Sequence, residues 1–247
     1  MAVSDGVPKE EFLRSIRQAL GRDHAPPVPA YPQLEETLPD LESQAAAVRR
    51  RLAEDPTALM DKLASLAQLG GWIVYRAQGP EAAVGHIASL ASSLGMGSLV
   101  RTDQQVFEGL PVDMALEGLG LTVTTVVQGE GQSRELLRNR IIAAGMGLTG
   151  ADYAVAETGS VVVVPRKGLS RLVSLVPPVH LALVRPADVV ETLDDLFLLR
   201  RLEYYRQGGD MGSYLNFITG PSRTADIEQT LVVGVHGPKE AHLILLE

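Results

Sequence analysis

An acid-containing segment in the middle of the chain has the residue types of a catalytic turn. Asp152 precedes a short apolar run and Glu157 follows it. The residues after Glu157 supply two hydroxyls and a glycine: Thr158, Gly159 and Ser160. A carboxylate at the end of a buried strand is costly unless it is paired or used, and beside an accessible backbone it can act as general base or as nucleophile on an acyl group. The alternative is that Glu157 accepts backbone N–H groups and stabilises its turn.

Cationic residues and a histidine continue this segment. Arg166, Lys167 and Arg171 offer donors for a carboxylate or phosphate, and we retain Arg171 as a substrate-binding candidate because it precedes an apolar run. A solvated loop is the simpler interpretation for Lys167. His180 follows two prolines and opens an apolar strand, so it is either catalytic or a hydrogen-bonded residue of the core.

A second polar segment joins a predicted strand to a helix predicted over residues 224–233. A helix N-terminus binds anions through its free N–H groups and its dipole. The residues that would line such a site are Thr219, Gly220, Ser222, Arg223 and Thr224. Asp226 and Glu228 would either cap the helix or contact sugar hydroxyls. The spacing is neither that of a Walker A loop nor that of a dinucleotide-binding glycine motif.

The elements that must position these residues alternate between strand and helix. This alternation predicts an α/β fold with a mostly parallel sheet and helices on both faces, in which sites lie at the carboxyl ends of strands. The helix over 133–144 is expected to bury Leu136, Leu137, Ile141 and Ile142, and one long helix is expected over 186–204. The predicted strands cover residues 72–75, 98–101, 121–127, 153–156, 160–164, 180–184, 215–218 and 241–246; the other predicted helices cover 45–69, with a break at Pro56, and 80–94.

Residues 1–40 form an arm that precedes the domain over residues 41–247. Phe12, Leu13, Ile16 and Leu20 share one helical stripe that Gly21 ends. Four prolines between residues 26 and 32 then favour an extended tether. The arm either packs on its own domain or docks on a neighbouring subunit, for example in a homodimer.

Composition excludes several classes of function. The 247 residues include no Cys, so no disulfide, thiol catalysis or Cys-ligated metal cluster is expected in this chain. The net charge of −8 opposes nucleic-acid binding. No apolar run approaches the roughly 20 residues that span a bilayer, and no signal peptide is visible, which favours a cytoplasmic location. His236 and His242 do not have metal-ligand spacing, so no metal site is predicted.

Three runs together resemble the LUD domain of lactate utilization proteins. They are TGADYAVAETGS from residue 149, LVPPVH from residue 175 and ITGPSRTADIE from residue 218, and GVHGPKE from residue 234 also matches. The size and the absence of Cys resemble the C-type subunits, which are LutC- or YkgG-like. The resemblance implies a NagB/RpiA/CoA-transferase-like three-layer sandwich.

The resemblance also implies a role in oxidising L-lactate to pyruvate together with iron–sulfur LutA- and LutB-like subunits. This chain would hold no cofactor itself, and the iron–sulfur clusters would lie in the partners. In related CoA transferases and sugar-phosphate isomerases an acid reacts, and Glu157 aligns with it by analogy of fold. The alternative functions are an autonomous enzyme acting on a phosphorylated, sugar or CoA-linked molecule, with Glu157 as base or nucleophile, and a ligand-binding regulator.

Overall fold

The computed structural model describes residues 8–22, 36–127, 133–164, 171–209, 212, 214–225 and 231–247. The chain divides into two units, Met1–Thr37 and Leu38–Glu247. In the first unit, helix α1 (Lys9–Ala19) begins after Pro8 and ends just before Gly21, and none of its residues is buried. The predicted N-terminal helix is therefore present.

The second unit alternates helices and strands along most of its length. Its helices are α2 (Leu38–Leu52), α3 (Pro56–Gly70), α4 (Pro80–Ser93), α5 (Val112–Glu117), α6 (Arg134–Ala143), α7 (Leu172–Leu175) and α8 (Leu193–Arg206). Its strands are β1 (Ile73–Ala77), β2 (Ser98–Arg101), β3 (Thr122–Thr125), β4 (Met146–Gly150), β5 (Tyr153–Val155), β6 (Ser160–Val163), β7 (Val179–Val184), β8 (Val189–Val190), β9 (Asn216–Ile218), β10 (Arg223–Ala225), β11 (Leu231–Val233) and β12 (Glu240–Leu246).

Six strands form the central sheet in the order β1-β12-β7-β4-β2-β3, and every neighbouring pair is parallel. Strand β7 has the sequence VHLALV, and all six of its residues are buried. Such a continuous apolar run is typical of a parallel strand covered on both faces. The predicted α/β fold with a mostly parallel sheet is confirmed.

Alternate residues of β7 enter two separate cores. Val179, Leu181 and Leu183 pack with residues of α4 and α5 on one face. Ala182 and Val184 pack on the other face with α3 and with residues of a second sheet. The twofold period of a strand thus places helices on one side, and a helix with a further sheet on the other.

The second sheet has the order β8-β5-β6-β9 and mixes parallel with antiparallel pairs. Val155 and Val162 on its outer face join a core with residues of α2 and α8. Arg51 of α2 also donates to both carboxylate oxygens of Asp195 in α8, at 2.5 and 2.6 Å. These contacts complete the layered arrangement on this side of the molecule.

The chain from Pro186 to Tyr204 is not the single helix that we predicted. A short helical turn at residues 186–188 is closed by Arg185, which donates twice to Asp188 at 2.8 Å. Strand β8 follows because it pairs with β5. Helix α8 begins only after Thr192, whose hydroxyl accepts from the N–H of Asp195 at 3.1 Å. Tertiary strand pairing and an N-cap thus divide the predicted helix.

Two further predictions are corrected. Helix α6 buries Leu137 and Ile141, but Leu136 and Ile142 are exposed because a helix on the surface buries a single stripe. Strand β4 was not predicted, since its sequence MGLTG has two glycines. It is buried throughout and pairs with β7 and β2, so its partners rather than its propensity determine its structure.

Candidate functional site

The carboxyl end of α3 brings the second polar segment onto the body of the domain. A Cβ added to Gly70 would lie 2.6 Å from the carbonyl oxygen of Thr219, so this loop crosses directly over the helix end. Gly71 has a φ of 96°, and a Cβ there would lie 2.1 Å from Nη2 of Arg223. This left-handed backbone conformation favours glycine. The Gly70–Gly71 pair therefore positions Thr219 and Arg223 side by side.

Three hydroxyls from the two polar segments form a connected set, which we call the hydroxyl cluster. The Thr158 hydroxyl donates to Oγ of Ser160 at 2.9 Å, and Oγ of Ser160 lies 2.8 Å from Oγ1 of Thr219. Ser160 is buried, whereas Thr219 is exposed. The cluster therefore leads from the interior to the surface beside Arg223.

Gly159 holds the first polar segment against α3. Its φ is 63°, and a Cβ would lie 2.4 Å from the backbone nitrogen of Ala67. The turn between β5 and β6 consequently packs directly on the helix backbone. Because α3 also contacts the loop at Thr219, this helix is the common support for both parts of the hydroxyl cluster.

Arg223 lies at the end of a helix, but not at the predicted one. Residues 223–225 and 231–233 form the antiparallel hairpin β10–β11, where Thr224 pairs with Val232. The helix predicted over 224–233, with its anion-binding N-terminus, is therefore wrong. The pairing of residues 223–225 with 231–233 overrides the local helical propensity. The guanidinium of Arg223 instead lies at the carboxyl end of α3, where the helix dipole favours a cation.

Ser222 anchors this hairpin to the sheet. Its N–H donates to the carbonyl of Pro238 at 2.9 Å, its own carbonyl accepts from Gly234, and its hydroxyl accepts from the N–H of His236. These bonds give Ser222 a structural role. The neighbouring candidates Asp226 and Glu228 lie outside the described residues.

Most of the predicted site gathers at the amino-terminal edge of the central sheet. Pro178, before β7, accepts from the N–H of Lys239, and the Pro238 carbonyl binds Ser222 before β12 begins. We expected the site at the carboxyl ends of the strands. The loop carrying Thr219 is instead held at the opposite edge, because the N–H of Ser222 bonds to Pro238, directly before β12, and the adjacent Lys239 bonds to Pro178, directly before β7.

His180 lies beneath this region in the interior. Its neighbours in the sheet are Gly147 and Ala241. Nε2 lies 2.9 Å from the Thr149 hydroxyl, and the ring is 5.8 Å from that of Trp72, which follows Gly71. Burial, with a smaller contribution from His242, lowers the pKa of His180 to about 3. The imidazole is therefore neutral at physiological pH.

The Glu157 carboxylate is directed to a different element. Its Oε1 accepts from the N–H of Leu193 at 2.6 Å, in the first turn of α8. Its own N–H donates to the carbonyl of Glu191 at 3.0 Å. The carboxylate thus accepts from a backbone N–H, as in the stabilising alternative, but this N–H belongs to α8 and not to the turn of Glu157 itself.

Asp152 lies at the carboxyl edge of the central sheet, away from the amino edge where His180 begins β7. Its Oδ2 accepts from the N–H of Val164 at 2.7 Å, and Oδ1 lies 3.4 Å from Nε2 of Gln104. Gln104 is buried and accepts from Thr102 and from the N–H of Gly150.

This second polar group occupies the switch point of the sheet. After β2 the next strand of this sheet is β3, and after β4, beyond the two strands β5 and β6 of the second sheet, it is β7; β3 and β7 lie on opposite sides, so the connections diverge between β2 and β4. Such a crevice commonly holds ligands. Thr102 and Gln104 were not among the predicted site residues, although their position just after β2 is a usable signal in the sequence.

The guanidinium of Arg171 lies 5.4 Å from the centre of the Tyr214 ring, a cation–π contact. Arg166 and Lys167 lie outside the described residues. Among the described residues, no three His, Asp or Glu side chains are grouped as they would be around a metal ion. In the same part of the chain, no helix has the length and hydrophobicity needed to cross a bilayer.

The chain is similar to several proteins that are named lactate utilization protein C. Lactate utilization protein C of Bacillus pumilus is 28% identical over 258 residues, which cover 97% of this chain and 96% of that protein. The protein of the same name from Halalkalibacterium halodurans is 40% identical over 114 residues, but this match spans only 49% of its length. Lactate utilization protein C of Bacillus velezensis is 32% identical over 166 residues, which cover 62% of this chain and 68% of that protein.

The structural and family comparisons agree with each other. A DUF162 family protein from Deinococcus radiodurans has a TM-score of 0.50 at 21% identity, covering 78% of this chain and 98% of that one, and supports the fold. The LUD domain model matches residues 60–246, a region that includes the hydroxyl cluster, His180 and Asp152. The chain belongs to the LUD domain family.

Proposed function

We propose that this protein is a subunit, without a redox centre of its own, of a system that oxidises L-lactate to pyruvate. The observation that carries the proposal is the alignment with a lactate utilization protein C over 97% of this chain and 96% of the relative. An alignment of this extent includes the arm as well as the domain. It supports a shared role more strongly than a match to the domain alone would.

The chemistry of the reaction requires partners. Conversion of L-lactate to pyruvate removes two electrons and two protons from the hydroxyl-bearing carbon and its oxygen. The sequence contains no Cys, so it offers no thiolate to an iron–sulfur cluster. We propose that iron–sulfur LutA- and LutB-like subunits accept the electrons, and that this chain binds the substrate or the partners.

The hydroxyl cluster and Arg223 are the proposed binding site for the carboxylate of lactate or pyruvate. If Thr158 donates to Ser160, and Ser160 donates to Thr219, the Thr219 hydroxyl proton is available to a ligand. Arg223 is an exposed residue whose guanidinium lies at Gly71, while Thr219 lies at the adjacent Gly70. A hydroxyl and a guanidinium together provide charge-assisted hydrogen bonds of the kind that bind carboxylates.

An autonomous reaction through Glu157 receives less support. In a nucleophile or general base the carboxylate must reach the reacting atom. The bond from Leu193 to Glu157 Oε1 occupies one carboxylate oxygen and orients the group towards α8. We therefore propose Glu157 as a structural residue and test that assignment separately.

Reconstitution tests the proposed subunit role. The tagged full-length chain and the iron–sulfur subunits from the same organism are purified separately, and lactate-dependent reduction of a dye acceptor is measured with and without this chain. We expect a substantial rate only when this chain is present. Partners that oxidise lactate at the full rate alone would refute the proposal.

Ligand binding is tested on the isolated chain. Calorimetric titration with L-lactate and pyruvate is compared for the wild type and Arg223→Gln, with Arg138→Gln as a control because Arg138 is an exposed arginine on α6. We expect binding to weaken by about 10-fold or more in Arg223→Gln only, as for loss of a charge-assisted hydrogen bond. Equal affinity in all three proteins would exclude this site.

A further inference from the structure

Helix α1 exposes a stripe of apolar side chains, and the helix is too short to be stable in isolation. Phe12 is 54% exposed, Ile16 39% and Leu20 58%. The helix has 11 residues, and isolated helices shorter than about 12–15 residues are marginal in water. Burial of these apolar side chains against another surface would therefore stabilise the helix.

The spacing of the stripe is that of a coiled-coil seam. Leu13, Ile16 and Leu20 are separated by three and four residues, as the a and d positions of a heptad are. Glu10 and Arg17 are seven residues apart, so both fall on the same flank of the seam. The opposite flank carries Phe12 and Ala19.

We propose that α1 pairs antiparallel with α1 of a second copy of this chain. When Leu13 is placed opposite Ile16 of the second copy, Glu10 meets Arg17 of that copy, and twofold symmetry repeats the ion pair. A parallel pair would place Phe12 near Arg17 and would lose both ion pairs. Charge complementarity therefore selects the antiparallel arrangement.

The charges of α1 also favour a protein partner over a lipid surface. Three cations, Lys9, Arg14 and Arg17, and two anions, Glu10 and Glu11, leave the helix with a net charge of 3 − 2 = +1. Helices that lie on anionic membranes have strongly basic polar faces. Glu10 and Arg17, on one flank of the seam, can instead form ion pairs with Arg17 and Glu10 of a second α1.

A charge-exchange experiment tests the pairing. Sedimentation of the full-length chain over a range of concentrations is compared for the wild type, Glu10→Arg, Arg17→Glu and the double variant. Each single variant places like charges opposite each other twice, so we expect dimer affinity to fall by about 10-fold, with recovery in the double variant. Glu11→Arg is the matched control, because it makes the same change on the polar face.

The outcome distinguishes the second copy from other occupants of the stripe. If α1 covered its own domain or a different protein, the double variant with exchanged charges at positions 10 and 17 would not recover the dimer affinity of the wild type. Single variants that dimerise as the wild type does, or a double variant that stays weak, would overturn the proposal.

The absence of cysteine provides an independent measurement. Leu13→Cys and Ile16→Cys proteins are oxidised separately and as a mixture. An antiparallel pair predicts cross-linking mainly in the mixture, since position 13 faces position 16. Efficient cross-linking within each separate protein would indicate a parallel pair, and no cross-linking would indicate that α1 does not self-associate.

Discussion

Nε2 of His180 lies 2.9 Å from the hydroxyl of Thr149, and both side chains are buried in the core between the two sheets. The two residues lie diagonally across the neighbouring strands β7 and β4, since Gly147 is paired with His180 and Thr149 with Ala182. The hydrogen bond is made by a neutral imidazole, because burial disfavours the imidazolium. His180 therefore links β7 to β4 within the central sheet through an uncharged side chain.

Acid should destabilise the protein through His180. Its pKa falls from 6.5 in the unfolded chain to about 3 in the folded state. The stabilising contribution is therefore complete above about pH 6.5 and is lost as the pH falls towards 3, at up to about 1.4 kcal/mol per pH unit. Urea unfolding at several pH values between 7.5 and 5 measures this slope.

His180→Gln is the comparison for that titration, because it retains a hydrogen-bonding side chain. We expect a flatter dependence on pH in the variant. His86, whose pKa is also lowered by burial, remains in both proteins and cancels in the comparison. Identical slopes would show that His180 does not titrate as its burial implies.

Glu157→Ala should reduce stability, because it removes the acceptor for the Leu193 N–H at the start of α8. We expect a loss of about 0.5–2 kcal/mol, as for a helix cap, and a smaller loss for Glu157→Gln, which keeps an oxygen. Chemical unfolding measures both. Glu81→Ala, in the first turn of α4, controls for the helix dipole. A Glu157→Ala protein as stable as Glu81→Ala would argue against the capping role.

Gly159→Ala should be severely destabilising, because the added Cβ would lie 2.4 Å from the Ala67 nitrogen. Gly95→Ala is a matched control, since Gly95 has a φ of 62° with no atom within 4 Å of an added Cβ. We expect about 1 kcal/mol of backbone strain in the control and at least 2 kcal/mol more in Gly159→Ala. Similar melting temperatures for the two variants would contradict the packing of this turn on α3.

Ser160 and Thr219 should be energetically coupled. Ser160→Ala is expected to cost about 1 kcal/mol, and Thr219→Val less because Thr219 is exposed. A double-mutant cycle by urea unfolding should give a coupling of about 0.5–1 kcal/mol. Ser160→Ala combined with Thr122→Val, on the far edge strand β3, should be additive. A coupling of zero between Ser160 and Thr219 would show that the hydroxyl contact contributes nothing to stability.

The sequence by itself determined the features that depend on neighbouring residues. The apolar run of β7 predicts a buried strand, and Gly70–Gly71 after an apolar helix predicts the end of α3. The motifs around Thr158 and Thr219 identify the family. Each of these signals extends over a few residues, where backbone propensity and periodicity act directly.

Only the tertiary structure decided how the polar residues are grouped. Ser160 meets Thr219, 59 positions away, because β6 pairs antiparallel with β9 and places Val161 opposite Ile218. Asp152 and His180 are separated because one follows the carboxyl end of β4 and the other begins β7 in a parallel sheet. Glu157 faces α8 because β5, the strand before Glu157, pairs with β8, the strand that leads into α8. The direction of a side chain at a strand end depends on the elements packed around it, and spacing along the chain does not encode those elements.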